Sequence, residues 1–431
     1  MPTRRTALAL PLALTSLTGF AACGPNASGG GSGSSEGGGL RFAWWGNAKR
    51  DEYTKAAIQA YSEIEPDLSI SPEPVDWNGY WDKLATQVAG GDTPDILQMD
   101  EGYLAEYASR DILLDLASTD LDTSAFDQAA LDAGRVDDGL YAVNAGVNAP
   151  VLMANPAVFE AAGVEMPDDT TWTWDDLVEI ATAITENTPE GTYGTQQFGA
   201  AGDPTLSVYL RQLGAERFSD DGIGFTAEQL QDWMDFALQL QASAAAPSAS
   251  VAVEEVGQTV DQALFAKGRC GLQSQWSNQV VTLDSALDGA VKILRMPSRT
   301  GAAADAQLWY KASMYFSVAA GTAKQEEAVA FVDWLVNDLD AGRTLLAERG
   351  VPANLDVREA ITPQLADSDL KTIDFIEAIA EELGDPPPIT PPGGSSVGDL
   401  ISRYMEDVLF ERADPAAAAA SVVEEAPALL E

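Results

Sequence analysis

Aromatic side chains stand close to amides at points where the sequence pattern predicts that a strand ends. Trp45 and Asn47 follow the first predicted strand, Trp77 follows the second, and Trp276 is followed by Asn278 after a later one. An aromatic ring packs against a flat apolar face, while amides donate and accept hydrogen bonds. This combination is typical of a site for a molecule with apolar C–H faces and several hydroxyl groups.

Strand alternation suggests which of these rings face a ligand. Trp44 and Trp45 are consecutive, so one should point into the core and the other toward the site, and we expect Trp45 to be the exposed one. Trp81 is expected to lie in the core, one helical turn after Trp77. Trp276 ends a short predicted strand, where it can contact a ligand or pack against the helix that follows.

Several reaction classes are excluded by composition. The chain has no histidine, which removes serine–histidine triads, histidine metal sites and imidazole general bases. Asp100 and Glu101 are neighbours in sequence, so their side chains point apart and are unsuited to the paired-carboxylate chemistry of a glycoside hydrolase. We therefore expect no enzyme, no catalytic residues, no cofactor and no metal. If Cys23 is lipidated, Cys270 has no partner for a disulfide.

The net charge of −43 at pH 7 is extreme. It argues against nucleic acid and anionic membrane surfaces as partners, because both would be repelled. The acidic residues are scattered along the chain, which favours a solvated acidic coat over a site for a cationic substrate.

Short β-like runs alternate with amphipathic helices, a pattern that predicts an α/β fold. Residues 40–44 and 95–99 are predicted strands. Two helix starts carry capping boxes, Thr173 with Asp176 and Thr226 with Gln229.

The N-terminal segment predicts export. Arg4 and Arg5 precede an apolar run at residues 7–20, and small residues lead to Cys23. This arrangement resembles a bacterial lipobox, which implies a signal peptide over residues 1–22 and diacylation of Cys23. A Gly/Ser-rich tether follows, so residues 23–39 are predicted to link the lipid anchor to the body. An ordinary secretory signal with a chance cysteine, or a twin-arginine signal, remains an alternative.

Six short motifs appear in an order that resembles the family 1 extracellular solute-binding proteins, the lipoprotein receptors of ABC importers, and especially their sugar-binding branch. Each motif is short, and the order carries the resemblance. They are GGDTPDI (90–96), GLYAV (139–143) with VLMAN (151–155), WDDL (174–177), FAKGR (265–269) leading to Trp276, AVAFVDWL (328–335) and GVPAN (350–354).

The resemblance implies a type II periplasmic-binding-protein-like fold, with two α/β lobes, a hinge between them and the ligand in the interlobe cleft. Lobe one is predicted as residues 40–146 plus 298–349, and lobe two as 147–297 plus 350–431. It further implies a monomer at the outer face of the bacterial cell membrane that passes a carbohydrate to ABC permease subunits. A polyamine, a peptide or another non-sugar solute is the alternative ligand, and a secreted glycoside hydrolase is the less favoured alternative function.

The resemblance also implies further site residues. Asp100, at the turn after a strand, is expected to accept a hydrogen bond from a sugar hydroxyl, although capping the next helix is an equally ordinary role for it. Asn148 lies on the first predicted crossing between the lobes. The remaining candidates are Tyr103 beside Asp100, the aromatic pair Trp309 and Tyr310, and Gly393, whose backbone amide could approach a ligand.

Overall fold

A computed structural model describes residues 39–46, 48–126, 128–199, 204–219 and 222–430. Strands and helices alternate along most of this length, as predicted. The strands are β1 (Leu40–Trp45), β2 (Ile70–Val75), β3 (Ile96–Met99), β4 (Arg135–Val136), β5 (Gly139–Leu140), β6 (Val143–Asn148), β7 (Pro150–Ala154), β8 (Tyr193–Thr195), β9 (Phe218–Ser219), β10 (Gly222–Ile223), β11 (Cys270–Trp276), β12 (Lys292–Leu294) and β13 (Lys311–Val318).

Helices cover the sheets and fill the connections between strands. They are α1 (Ala48–Ile64), α2 (Trp77–Ala89), α3 (Glu101–Ser109), α4 (Gln128–Asp132), α5 (Pro156–Ala162), α6 (Trp174–Asn187), α7 (Thr205–Gln212), α8 (Ala227–Ala242), α9 (Ala249–Val256), α10 (Val280–Ala286), α11 (Gln325–Asn337), α12 (Leu339–Leu345), α13 (Leu355–Ile361), α14 (Asp367–Ala378), α15 (Gly394–Leu409) and α16 (Pro415–Glu425).

The first sheet has the strand order β2-β1-β3-β13-β6 among the described residues. β1 is parallel to β2 and β3, whereas β13 is antiparallel to β3 and β6. β1, β3 and β13 are almost completely buried, as expected for strands covered on both faces. Because β13 runs against its neighbours, its first residue, Lys311, lies at the edge where β6 ends and is paired with Asn148.

The second sheet has the order β12-β7-β11-β8 within the same described part of the chain. The chain passes from the first sheet to the second at Ala149, between β6 and β7. β11 is antiparallel to β7, so its last residue, Trp276, pairs with Pro150 directly beside this crossing. The ends of strands from both sheets therefore meet near Ala149.

The predicted lobe boundaries remain a prediction, and the contacts differ from them in two places. Residues 298–310 precede β13 but bond to elements beside the second sheet: Gln212 donates to the carbonyl of Ala306 and Tyr310 donates to the carbonyl of Ile376. Helix α13 follows residue 350 but packs against α12 beside the first sheet, where Asn354 donates to Asn337. These contacts favour crossings nearer Lys311 and after α13.

Both predicted capping boxes form. Thr173 accepts a hydrogen bond from the amide of Asp176 and the Asp176 carboxylate accepts one in return, and Thr226 and Gln229 repeat the arrangement. Each box satisfies two amides that the first helical turn leaves without a partner. Among the described residues, no helix combines the length and the apolar character needed to cross a bilayer.

Candidate ligand-binding site

Charged and aromatic side chains from both sheets meet beside the crossing at Ala149. The Lys311 Nζ atom lies 3.3 Å from Asp100 Oδ2 and 3.9 Å from Glu101 Oε2. The same Nζ atom is 5.3 Å from the centroid of a Trp276 ring. We call Asp100, Glu101, Lys311 and Trp276 the crossing cluster. It combines hydrogen-bond donors, acceptors and an aromatic surface, the chemistry predicted for the site.

Asp100 has the capping role that the sequence left open as an alternative. Its Oδ1 atom accepts a hydrogen bond from the amide of Gly102 at 3.0 Å, and Asp100 is the N-cap residue of α3. Its other oxygen accepts from Lys311. Each carboxylate oxygen has two lone pairs, so the capping role leaves acceptor capacity for a ligand hydroxyl. A ligand role for Asp100 stays a prediction.

Burial and charge pairing oppose each other within the cluster. Burial raises the pKa of Glu101, and the nearby Lys311 works against that shift. Burial alone would lower the pKa of Lys311, but Asp100 and Glu101 together raise it above its ordinary value. The result is a cation held between two carboxyl groups at the sheet edge.

The charge of Arg217 also acts on Glu101 of the crossing cluster. Burial lowers its pKa, and the charge of Glu101 opposes this. Its Nε atom is buried and has no hydrogen-bond partner among the described residues. Arg217 Nε is thus a donor that none of the described residues uses.

The backbone fixes the position of Trp276 against the crossing. The Ser277 amide donates to the carbonyl of Ala149 at 3.0 Å, and the Ala149 amide donates to the Ser277 hydroxyl at 3.2 Å. This reciprocal pair holds the end of β11 to the interlobe connection. Trp276 is half-buried and meets Trp309 edge to face, with ring centroids 6.1 Å apart.

Trp309 and Tyr310 are anchored rather than freely presented. Trp309 is 4% exposed and lies under the Arg211 guanidinium, whose central carbon is 5.1 Å from a ring centroid. The Tyr310 hydroxyl donates to the carbonyl of Ile376 at 2.8 Å. In this conformation Trp309 therefore packs against Trp276. A direct ligand contact for Trp309 or Tyr310 stays a prediction.

The expectation that Trp45 is an exposed platform is wrong for this conformation. Trp44 and Trp45 do point to opposite faces of β1, but both faces are covered, and the two side chains are 0% and 7% exposed. Trp45 packs within 5.6 Å, between ring centroids, of Tyr80 and Trp81 on α2. Trp77 is the solvent-exposed member of this aromatic group, with 44% of its surface accessible.

Tyr103 connects the two sides of the site. Its ring stacks on Trp81 with centroids 3.7 Å apart and an angle of 14° between the planes. Burial raises the pKa of its hydroxyl, the charges of Asp100 and Asp399 raise it further, and a hydrogen bond with Ser395 on α15 opposes the shift. Tyr103 therefore lies where α3 contacts α15.

The remaining candidates lie in different surroundings. The Oδ1 atoms of Asn148 and Asn278 are buried, and neither has a hydrogen-bond partner among the described residues. Gly393 has a φ of 80°, and a Cβ atom there would lie 1.8 Å from the Leu429 carbonyl oxygen. The close approach at Gly393 is thus to the chain's own C-terminal segment. Asn47 and Cys23 lie outside the described residues.

Lys311 and Arg217 were not predicted as site residues. The Asp100 and Glu101 side chains were expected to point apart, whereas both approach the Lys311 Nζ atom. Lys311 directly follows the Trp309–Tyr310 pair, so its position next to two candidates was a usable signal. Arg217 stands before the two-residue strand β9, and nothing in its local sequence indicates a site. Only the packing of that segment brings it toward Glu101.

Comparisons with known proteins agree with this architecture. A family model described as bacterial extracellular solute-binding protein matches residues 45–338, about two thirds of the chain. An uncharacterized lipoprotein in the oleD 5′ region of Streptomyces antibioticus is 26% identical over 149 residues, 33% of this chain and 31% of the relative. The chain therefore covers about a third of that relative's length.

Two solved structures cover nearly the whole chain. A periplasmic solute-binding protein from Pectobacterium atrosepticum is 21% identical, with a TM-score of 0.82, and the alignment covers 91% of this chain and 98% of that one. A periplasmic oligogalacturonide-binding protein from Yersinia enterocolitica, in complex with saturated digalacturonic acid, is 20% identical, with a TM-score of 0.79 and the same coverage. These matches confirm the predicted α/β periplasmic-binding-protein-like fold. With the family model spanning most of the body, the chain belongs to the bacterial extracellular solute-binding proteins.

Proposed function

We propose that this protein captures a carbohydrate, an oligosaccharide or a glycoside, and delivers it as a monomer to the permease of an ABC importer. The crossing cluster is the observation that supports this most directly. Trp276 offers an apolar ring, Lys311 offers donors, and Asp100 and Glu101 offer acceptors that each lie within 4 Å of the Lys311 Nζ atom. Charge-assisted hydrogen bonds of this kind are the strong ones for hydroxyl groups. The Yersinia relative's complex with digalacturonic acid fits a saccharide ligand.

Capture would occur by hinge closure around the sugar. The cluster draws Asp100 and Lys311 from the first sheet and Trp276 from the second, so a ligand there would contact both lobes. Such a ligand stabilises the closed state because it makes more contacts there than in the open state. Micromolar affinity corresponds to about 8 kcal/mol. Aromatic contacts at about 1 kcal/mol each, together with several hydrogen bonds, supply energies of that order.

A polyamine is a less suitable ligand for this site. A polycation needs carboxylates that lack a partner, whereas Asp100 and Glu101 already face Lys311 at 3.3 Å and 3.9 Å. A catalytic role is equally unsuited, because the two carboxyl groups share one cation instead of flanking a substrate bond. Purified protein incubated with glycans is expected to leave them uncleaved.

We also propose that the protein is lipid-anchored through Cys23 at the outer face of the cell membrane. The lipobox-like segment and the Gly/Ser tether support this, and the matched Streptomyces relative is described as a lipoprotein. A Cys23→Ala variant should move from the membrane fraction to the medium. Equal membrane association of parent and variant would contradict the anchor while leaving the ligand proposal intact.

Ligand binding is tested by thermal-shift screening of mono- and oligosaccharides, with polyamines and peptides as counter-ligands, followed by calorimetry on any hit. A ligand that binds the folded state raises the melting temperature by mass action. Trp276→Ala should then weaken binding by about tenfold, which corresponds to about 1.4 kcal/mol. A polyamine or peptide hit without a sugar hit would overturn the proposed ligand class.

Asp100 needs a control that separates ligand contact from helix capping. Asp100→Ala should weaken sugar binding by about tenfold and also lower stability by about 1 kcal/mol through loss of the cap. Asp414 is an exposed cap at the start of α16, where it accepts from the amides of Ala416 and Ala417. Asp414→Ala should lower stability similarly and leave affinity unchanged. If Asp100→Ala also leaves affinity unchanged, Asp100 is a cap alone.

A further inference from the structure

Arg217 carries a buried donor that the described part of the chain leaves without an acceptor. Its Nε atom is the donor in question. Arg295, by contrast, donates from all three of its guanidinium nitrogens, to Glu382 and Asp169. A buried donor that lacks an acceptor is costly to the folded state. The Arg217 guanidinium therefore calls for an acceptor that these residues do not supply.

The contacts that Arg217 does make leave its N–H groups available. The central carbon of the guanidinium lies 5.6 Å from the centroid of the Phe218 ring. An aromatic ring attracts the charge but offers no oxygen to the N–H groups. The charge of Glu101 also acts on Arg217, but no ion pair joins the two side chains among the described residues. Glu101 is instead 3.9 Å from the Lys311 Nζ atom.

The guanidinium lies where helices from the two sheets meet. A Cβ atom at Gly398 would lie 3.2 Å from Arg217 Nη2, so the guanidinium packs against α15. Glycine is unfavourable inside a helix, and here it leaves room for this side chain. α15 contacts α3, whose first residue is Glu101, and α3 contacts β13 of the first sheet. α15 also packs on α8, which accepts a hydrogen bond from Gln197 just after β8 of the second sheet.

We propose that Arg217 donates to the bound saccharide and selects a sugar with two adjacent oxygen atoms, either neighbouring hydroxyl groups or a carboxylate. This inference rests on the proposed function. A guanidinium presents its N–H groups in a planar fork that matches two oxygens side by side. Hinge opening would separate α3 from α15 and expose the fork to an arriving sugar. Closure would then bury it with its acceptors in place.

Calorimetry on the full chain with maltotriose, cellotriose and trigalacturonic acid tests the contact, and the neutral and acidic sugars distinguish hydroxyl groups from a carboxylate. Arg217→Met should weaken binding by about tenfold or more, the value of a charge-assisted hydrogen bond. Arg217→Lys should show most of this loss, because it keeps the charge but not the fork. Equal affinity of parent and Arg217→Met would overturn the inference and leave the proposed function intact. A parent that binds no saccharide would overturn both.

Deoxy and methyl-ester analogues of the sugar that binds separate direct contact from an effect on closure. The analogue that lacks the contacted oxygen should bind the parent and Arg217→Met equally well, because the contact is already lost in both. If Arg217→Met weakens every analogue by the same factor, Arg217 favours closure without touching the ligand, and the proposal is wrong.

Melting of the ligand-free protein separates a binding role from a structural one. Arg217→Met should leave the melting temperature unchanged or raise it, because an apolar side chain replaces a buried charge that lacks a close partner. Arg295→Met is the matched control, since Arg295 is paired with Glu382 at 2.6 Å. It should lower the melting temperature and leave saccharide affinity unchanged. A decrease for Arg217→Met as large as that for Arg295→Met would contradict the proposal.

Discussion

Removal of Lys311 should destabilise the protein strongly and in a pH-dependent manner. Lys311→Met preserves the apolar stem of the side chain but removes the cation that lies 3.3 Å from Asp100 and 3.9 Å from Glu101. Breaking a buried pair by deleting one partner costs about 3–5 kcal/mol. The two carboxylate side chains are 20% and 31% exposed, so the expected loss is at the lower end, about 3 kcal/mol near pH 7.

The sign of the pH dependence follows from the two pKa shifts. The pKa of Lys311 is raised, so its stabilising contribution is complete below its ordinary value of 10.5 and is lost only as pH rises through the higher folded value. The pKa of Glu101 is also raised, through burial, so this carboxyl favours the folded state when it is protonated. Without Lys311 to oppose that shift, the variant should regain stability as pH falls toward about 4.5.

Urea denaturation of parent and variant between pH 4.5 and pH 8 measures this effect. Lys371→Met is a matched control, because Lys371 pairs with the buried Asp284 at 2.6 Å, away from the crossing cluster. Both variants should lose stability, but only Lys311→Met should weaken the binding of a sugar identified by screening. A stability loss for Lys311→Met that is the same at pH 4.5 and pH 8 would refute the charge-pair reasoning.

Three further predictions concern stability and reactivity. Burial would raise the pKa of Glu73, but the hydrogen bonds that it accepts from Lys83 and Arg41 outweigh this and lower the pKa to about 2. Glu73→Gln should therefore lower the free energy of unfolding by about 2 kcal/mol at pH 7. Urea denaturation should show this difference shrinking as pH falls from about 4.5 to about 2. Gly393→Ala should lower stability by about 1–3 kcal/mol, measured by thermal melting, since its φ of 80° and its close approach to another segment exclude a side chain. Burial raises the pKa of the Cys270 thiol to about 12, so a thiol reagent at pH 8 should label it only after denaturation.

Local signals along the chain predicted local structure well. The capping boxes at Thr173 and Thr226 formed because each depends on residues three positions apart. The predicted strands at residues 40–44 and 95–99 coincide within one residue with β1 and β3, where apolar runs are buried on both faces. Asp100 follows β3 and Trp276 ends β11, and both residues lie in the crossing cluster.

The exposure of individual rings was harder to predict. Strand alternation correctly placed Trp44 and Trp45 on opposite faces of β1. It could not show that α2 covers the second face and buries Trp45. Trp309 likewise looked available, yet Arg211 from a distant helix lies over it. Such coverage depends on which helix docks where, and that is a non-local property.

The family, the alternation of strands and helices, the lack of histidine chemistry and most of the strand ends that carry site residues could all be predicted from the amino-acid sequence. These follow from residue types, short spacings and motif order. Only the folded chain brings Lys311 beside both Asp100 and Glu101, and only there does the charge of Arg217 act on Glu101. The physical reason is that charge pairing and burial depend on distances between residues far apart in sequence, here up to 298 positions for Arg50 and Glu348. Those distances arise only when the two sheets fold.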